Sequence, residues 1–76
     1  MHLTPTEFEL LRTLMRNRGR LVTHRALLTE VWGAAYEHDT QVLRVCLANL
    51  RRKIEPTRSS PRHIVTDPGV GYRFAD

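Results

Sequence analysis

The residues from 40 to 55, TQVLRVCLANLRRKIE, combine hydrogen-bonding side chains with helical spacing. At 3.6 residues per turn, one side of the predicted helix, called the outer face below, carries amide, guanidinium and small apolar groups. The members of the outer face are Gln41, Arg44, Val45, Ala48, Asn49 and Arg52. Guanidinium and amide groups can hydrogen-bond to base edges, and a helix fits the major groove of DNA. The spacing therefore predicts a helix that reads double-stranded DNA.

The opposite side of the same helix is apolar. Leu43, Leu47, Leu50 and Ile54 recur at helical spacing. These four side chains fall within an arc of roughly 60° on a helical wheel. We expect this stripe to pack on the rest of the domain, which leaves the outer face open to a partner.

The net charge of +4 is concentrated in one part of the chain. Residues 1–39 hold five arginines and five acidic residues, whereas residues 40–66 hold five arginines and one lysine against Glu55. Residues 67–76 carry a net charge of −1. A local surplus of positive charge suits phosphate contacts, which dominate nucleic-acid affinity through counterion release. A solvated charged surface would show the same pattern, so the charge by itself leaves both interpretations open.

Other kinds of chemistry find little support in the sequence. The four histidines are scattered and only Cys46 joins them, so no metal-site spacing or intrachain disulfide is present. No glycine-rich phosphate loop or nucleophile motif occurs, and we expect neither an enzyme nor a bound cofactor. Cys46 is interpreted as a half-buried structural thiol, with a redox switch as the alternative. No apolar run reaches membrane-span length, which predicts a soluble, cytoplasmic protein.

Two further helices are predicted to support the helix at 40–55, called the recognition helix below. Thr4, Pro5 and Glu7 give a capping box with proline at the first helical position, for a helix to about Asn17 that Gly19 ends. Its buried stripe is expected to be Phe8, Leu11 and Met15, with Leu10 and Leu14 beside them. Residues 2–3 are expected to end a short strand.

The second helix is predicted to follow a short apolar connector, Leu21-Val22. Thr23 is its expected N-cap, and it runs from His24 to about Trp32, with Leu27, Leu28 and Val31 on its buried side. Gly33 is expected to end it in the left-handed conformation. Residues 34–39 then form a polar loop, and Asp39 or Thr40 caps the third helix.

The chain is predicted to end in a β-hairpin. Pro56 stops the third helix, and residues 57–62 form a loop rich in serine, proline and arginine. Residues 63–66 and 72–74 are interpreted as strands, with a turn at 67–71. Three helices followed by a hairpin are typical of a winged helix-turn-helix, an α+β fold. A chain of 76 residues is long enough for one such domain.

Four motifs occur in the order that one known family shows. They are LTPTEFELL at 3–11, R-x-x-L-x-x-V-W-G at 25–33, L-R-x-K-I-E at 50–55 and G-x-G-Y-R-F at 69–74. Together they resemble the winged-helix, DNA-binding effector domain of OmpR/PhoB-type response regulators. The Pro61–Phe74 segment, with Val31–Gly33, Glu37-His38 and Leu43-Arg44, is most similar to Kdp-type regulators, which control potassium-uptake genes.

The resemblance implies a role for each matched position. Gln41, Arg44, Val45, Ala48 and Asn49 would face bases or nearby phosphates in the major groove. Phosphate contacts would come from Thr40, Arg51, Arg52, Thr66 and Tyr72. The segment 32–39, with Ala34, Ala35, Tyr36, Glu37 and His38, would contact RNA polymerase. Relatives bind promoter direct repeats, so the resemblance also implies a dimer on DNA.

The chain departs from the family pattern in three places. Many relatives carry a wing arginine that enters the minor groove, whereas this chain has Pro68 at that position. Relatives with arginines at the positions of Ala48 and Asn49 carry more charge on the recognition helix. The receiver domain, which a cognate sensor kinase phosphorylates, and most of the N-terminal platform sheet of four strands lie outside residues 1–76.

Two other functions stay open at the level of sequence. Pro68 and the polar loop at 34–39 also fit a winged helix that binds RNA polymerase or another protein without reading DNA. A shortened domain without its platform sheet could also lack function. DNA binding that weakens as salt rises would distinguish a DNA-binding domain from the first alternative. A cooperative thermal transition would distinguish a folded domain from the second.

Overall fold

The first helix begins where its capping signals predict. The computed structural model describes residues 2–54 and 63–75. Helix α1 spans Pro5–Arg16, and Thr4 Oγ1 accepts a hydrogen bond from Glu7 N at 3.1 Å. Glu7 Oε1 accepts in return from Thr4 N at 2.9 Å, which completes the capping box. The helix ends at an Asn17 cap, and Gly19 follows with φ 81°.

The buried side of α1 differs from the predicted stripe. Leu10 and Leu14 are fully buried, whereas Phe8 is 54% exposed and Met15 is 45% exposed. Leu11 is partly buried between these two sets. The predicted stripe is therefore confirmed for Leu10 and Leu14 and wrong for Phe8 and Met15, while Leu11 packs partly buried against the core. The apolar residues of α1 cover a wide arc, and the other helices pack on the edge of that arc away from Phe8.

Helix α2 spans His24–Val31 and confirms its predicted cap. Thr23 Oγ1 accepts from Ala26 N at 3.1 Å, and Leu27 and Leu28 are fully buried. Gly33 follows with φ 112° and ψ 163°. This is an extended conformation at positive φ that glycine can adopt, so the predicted left-handed helical conformation is wrong. The predicted loop at 34–39 contains a short 3-10 helix, Ala34–Tyr36.

Helix α3 spans Thr40–Ile54 and carries the predicted apolar stripe. Leu43, Leu47 and Leu50 are buried, and Ile54 packs partly buried against the same core. Of the two N-cap candidates, Asp39 and Thr40, the cap is formed by Asp39, whose Oδ1 accepts a hydrogen bond from Val42 N at 3.4 Å. The predictions for Glu55, Pro56 and residues 57–62 lie outside the described residues.

The described strands form one antiparallel sheet in the order β1-β3-β2. The predicted hairpin is β2, Ile64–Asp67, and β3, Gly71–Phe74, with Thr66 opposite Tyr72. The predicted connector is instead strand β1, Leu21–Thr23, which pairs with β3. The expected strand at residues 2–3 is absent from the described part of the chain. A three-residue strand depends on a partner far along the chain, so its local pattern is weak.

The sheet closes the core on one side of the helices. Ile64 is fully buried and Tyr72 is 6% exposed, both against the leucines of the three helices. Helix α3 thus lies between this core and open solvent, with the wing hairpin β2–β3 beside it. No helix among residues 2–54 and 63–75 is long and apolar enough to cross a membrane.

Candidate nucleic-acid interface

The outer face of α3 is open, as its spacing predicts. Because Leu43, Leu47 and Leu50 pack into the core, the residues on the opposite side project away from it. The exposed members are Gln41, Arg44, Val45, Ala48 and Arg52, while Asn49 is partly buried. Val45 is 51% exposed although it is apolar. The structure therefore brings the predicted base-facing residues together on one surface.

The polar groups of the outer face differ in how far they are already engaged. Arg52 Nη2 donates a hydrogen bond to Asn49 Oδ1, one helical turn earlier. Arg44 makes no hydrogen bond or ion pair within the described part of the chain, so its guanidinium is free to bind a partner. Thr40, the first residue of α3, is also exposed. A guanidinium without an internal partner can donate two parallel hydrogen bonds to a base or a phosphate.

Arg51 points to the wing rather than outward. Its Nη2 donates to Ile64 O at 3.0 Å and to Thr66 Oγ1 at 2.5 Å, both in β2. Its guanidinium carbon lies 5.8 Å from the ring centroid of Tyr72. Sequence reasoning missed this role, although residue 51 directly follows a buried leucine and so lies at the border of the apolar stripe.

The two predicted wing contacts lie in different environments. Thr66 is exposed and beside α3, which fits a phosphate contact. Tyr72 is buried, and its ring centroid lies 5.2 Å from that of His24. The ring of Tyr72 therefore belongs to the core, and its phosphate contact stays a prediction. Pro68 lies exposed in the turn between the two wing strands.

Lys53 adds charge to α3 but directs it inward. Lys53 Nζ lies 2.6 Å from Oε1 of Glu7, whose side chain is almost completely buried. The hydrogen bonds from Lys53 and from Thr4 N lower the pKa of Glu7 below its ordinary value. The ion pair joins α1 to α3, and the outward charge of the recognition helix comes from the exposed Arg44 and Arg52.

Cys46 lies close to the same ion pair and is half-buried. Burial raises the pKa of its thiol to about 11, and the negative charge of Glu7 adds to that effect while Lys53 opposes it. The thiolate is the reactive form, so this environment favours the structural interpretation over a redox switch. The described residues contain no cluster of histidine, cysteine and acidic side chains able to hold a metal ion.

The predicted polymerase-contact residues lie on the surface between α2 and α3. Ala34, Ala35, Tyr36 and His38 are exposed, and Tyr36 is 45% exposed. Glu37 is partly buried, because its Oε2 accepts from Arg25 Nε at 2.8 Å. This ion pair ties the segment to α2 and leaves an aromatic side chain exposed beside it.

Comparison with protein families and curated proteins gives consistent matches. A model described as Transcriptional regulatory protein, C terminal matches residues 1–74. The transcriptional regulatory protein KdpE of Mycobacterium tuberculosis is 57% identical over 97% of the chain, and that of Escherichia coli is 45% identical over 97%. The chain spans 33% of the length of each of these curated relatives.

Solved structures match the fold closely. The DNA-binding domain of Klebsiella pneumoniae RstA, in complex with the RstA box, has a TM-score of 0.87 and 28% identity. That match covers 97% of this chain and 73% of the other. DrrB, an OmpR/PhoB homologue from Thermotoga maritima, has a TM-score of 0.85 and 36% identity, over 99% of this chain and 34% of its own. These likenesses confirm the winged-helix fold.

Proposed function

Because the chain belongs to the family of C-terminal domains of OmpR/PhoB-type transcriptional regulatory proteins, we propose that it binds double-stranded DNA and controls transcription. Its similarity to Kdp-type regulators is confirmed. Genes for potassium transport are accordingly the proposed targets. The family is one of regulatory domains, and we infer that the chain has no enzymatic activity. The chromosome is in the cytoplasm, which is the proposed place of action.

The observation that carries this proposal is the outer face of α3. Its amide and guanidinium groups project from a helix whose other side is buried. Arg44, which has no partner among the described residues, is the proposed base reader, because arginine pairs bidentately with guanine. Gln41, Val45, Ala48 and Asn49 are proposed to line the same groove. Thr40, Arg52 and Thr66 are proposed to contact phosphates on either side of it.

The partners of the whole regulator are further proposals. The chain spans a third of its curated relatives (33%), which supports a receiver domain elsewhere in the complete protein. That domain would receive its signal from a cognate sensor kinase. Binding as a dimer to promoter direct repeats follows from the family resemblance. The segment 34–38, with the exposed Tyr36 at its centre, is proposed to contact RNA polymerase.

A salt titration tests the proposal. The affinity of the wild-type domain for a short mixed-sequence duplex is measured by fluorescence anisotropy at several salt concentrations. Each phosphate neutralised by lysine or arginine contributes about −0.9 to the slope of log K against log salt. Arg52→Gln should reduce the slope by about 0.9, since it removes one such contact.

Arg12→Gln is the matched control, because Arg12 is also an exposed arginine and lies on α1 instead of α3. It should leave the slope unchanged. Affinity that does not vary with salt would overturn the proposal and support the protein-interaction alternative. An equal effect of both variants would contradict the assignment of phosphate contacts to α3.

A further inference from the structure

Arg51 contacts three residues of the wing. Both hydrogen bonds from Nη2 end on β2, at Ile64 O and at Thr66 Oγ1. The guanidinium carbon lies over the ring of Tyr72 in β3. An Nη2 group carries two hydrogens, so these two bonds use all that it can donate. Arg51 therefore connects α3 to both strands of the hairpin.

The Nε group of Arg51 is also turned inward. Arg51 Nε is buried and has no hydrogen-bond partner among the described residues. Leaving a buried N–H unpaired costs free energy, so the contacts of Arg51 with the wing must offset this cost. Arg52, the next residue, is exposed by contrast. A phosphate clamp needs a guanidinium open to the ligand, and Arg52 meets that requirement better than Arg51.

The bond to Thr66 has a chemical consequence for the wing. A threonine hydroxyl has one hydrogen to donate and two lone pairs that accept. Since Arg51 donates to Thr66 Oγ1, the hydroxyl hydrogen is directed elsewhere, and Thr66 is exposed to solvent. A charged donor also polarises the hydroxyl, which strengthens it as a donor.

We propose that Arg51 is a positioning residue: it holds β2 against α3 and sets the Thr66 hydroxyl as a hydrogen-bond donor to a DNA phosphate. This inference rests on the proposed DNA binding and changes the role of Arg51 from phosphate clamp to support of the wing. It also makes the recognition helix and the wing one rigid surface. The missing wing arginine, replaced by Pro68, then matters less, because Thr66 supplies the wing's backbone contact.

The test replaces Arg51 by lysine, which keeps the charge but cannot make the same pair of hydrogen bonds. Arg51→Lys should weaken DNA binding about tenfold, the value of a lost hydrogen bond to a charged group. Thr66→Val should weaken it by a similar factor, and Thr66→Ser should recover most of that loss. The double variant should bind no more weakly than either single variant, because both remove the same contact. Arg12→Lys is the control for an arginine-to-lysine substitution outside the interface, and it should leave the affinity for DNA unchanged.

Each other outcome has a definite meaning. Arg51→Lys with wild-type affinity would overturn the inference, because a clamp at Arg51 tolerates a lysine point charge. Losses that multiply in the double variant would also overturn it, since the two residues would act independently. Thermal melting distinguishes a merely structural role of Arg51 from the positioning role. A merely structural role would lower the melting temperature of Arg51→Lys, but its effect on DNA binding would not depend on Thr66.

If Arg51→Lys unfolds at the assay temperature, the comparison of Thr66→Val with Thr66→Ser decides. Thr66 is exposed, so these variants should remain folded. Equal affinity of Thr66→Val and wild type would overturn the inference. Wild-type protein that shows no salt-dependent binding would instead refute the proposed function itself, which keeps the two failures distinct.

Discussion

Gly71 is the position at which a single methyl group should do most damage to the wing. It begins β3 and lies opposite Thr23 in β1 and Asp67 in β2. A Cβ at this position would lie 2.0 Å from Val22 O and 2.8 Å from Thr23 Cα. Both are backbone atoms of β1, so no side-chain rotation can relieve the contact. Gly71→Ala should therefore force β1 away from β3.

The cost follows from the pairing that would be lost. Three residue pairs join β1 to β3, and each backbone hydrogen bond contributes about 1 kcal/mol net. Overpacking costs about 1–3 kcal/mol where neighbours cannot move. We expect Gly71→Ala to lower the free energy of unfolding by about 3 kcal/mol. A domain of this size has about 4–11 kcal/mol in total, so this loss is a large fraction.

Thermal unfolding followed by circular dichroism measures the effect. A loss of 3 kcal/mol should lower the melting temperature by about 12–24 °C. Gly69→Ala is the matched control: its φ of +74° is strained for alanine, but no atom lies within 4 Å of the added Cβ. That variant should lose about 1–2 kcal/mol. If Gly71→Ala were no less stable than Gly69→Ala, the packing of β1 on β3 would be refuted.

Three further predictions concern the core and its neighbours. The pKa of Glu7 is lowered from 4.5 in the folded state, so the unfolded state takes up the proton first as the pH drops. The free energy of unfolding, measured by urea denaturation, should therefore fall as the pH drops from about 4.5 through the lowered pKa of the folded state. It should fall less steeply in Glu7→Gln. Iodoacetamide should modify Cys46 at pH 8 on the order of a hundredfold more slowly than a free thiol, given its pKa of about 11; rapid modification of the folded protein would favour the redox switch. Phe8→Ser should lower the free energy of unfolding by under about 1 kcal/mol and Leu14→Ala by about 2–5 kcal/mol, because Leu14 is fully buried and Phe8 is exposed. Equal losses would contradict the observed orientation of α1, with Leu14 facing the core and Phe8 facing away from it.

Features set by neighbouring residues could be predicted from the sequence. The Thr4 and Thr23 caps depend on residues within one turn, and both are confirmed. The apolar stripe of α3 depends on spacing within one helix, and its three leucines are buried. The outer face follows from that stripe, because it is the opposite side of the same helix.

Features set by distant partners could not be predicted in this way. Lys53 pairs with Glu7 across the domain, so the sequence showed a basic helix but not that one of its charges turns inward. Strand β1 exists because β3 offers it a free edge, which no local pattern of three residues reveals. The family resemblance implies a phosphate contact for Arg51, whereas the direction of its side chain depends on where β2 lies.

The central claim is that the outer face of α3 reads DNA sequence, with Arg44 as the base reader. Selection of bound duplexes from a randomised library tests it directly, for wild type and for Arg44→Ala. Wild type should enrich a direct repeat, and Arg44→Ala should lose the preference at one base pair of each half-site, a discrimination of about 1–3 kcal/mol. An identical enriched sequence from both proteins would contradict the assignment of base reading to Arg44.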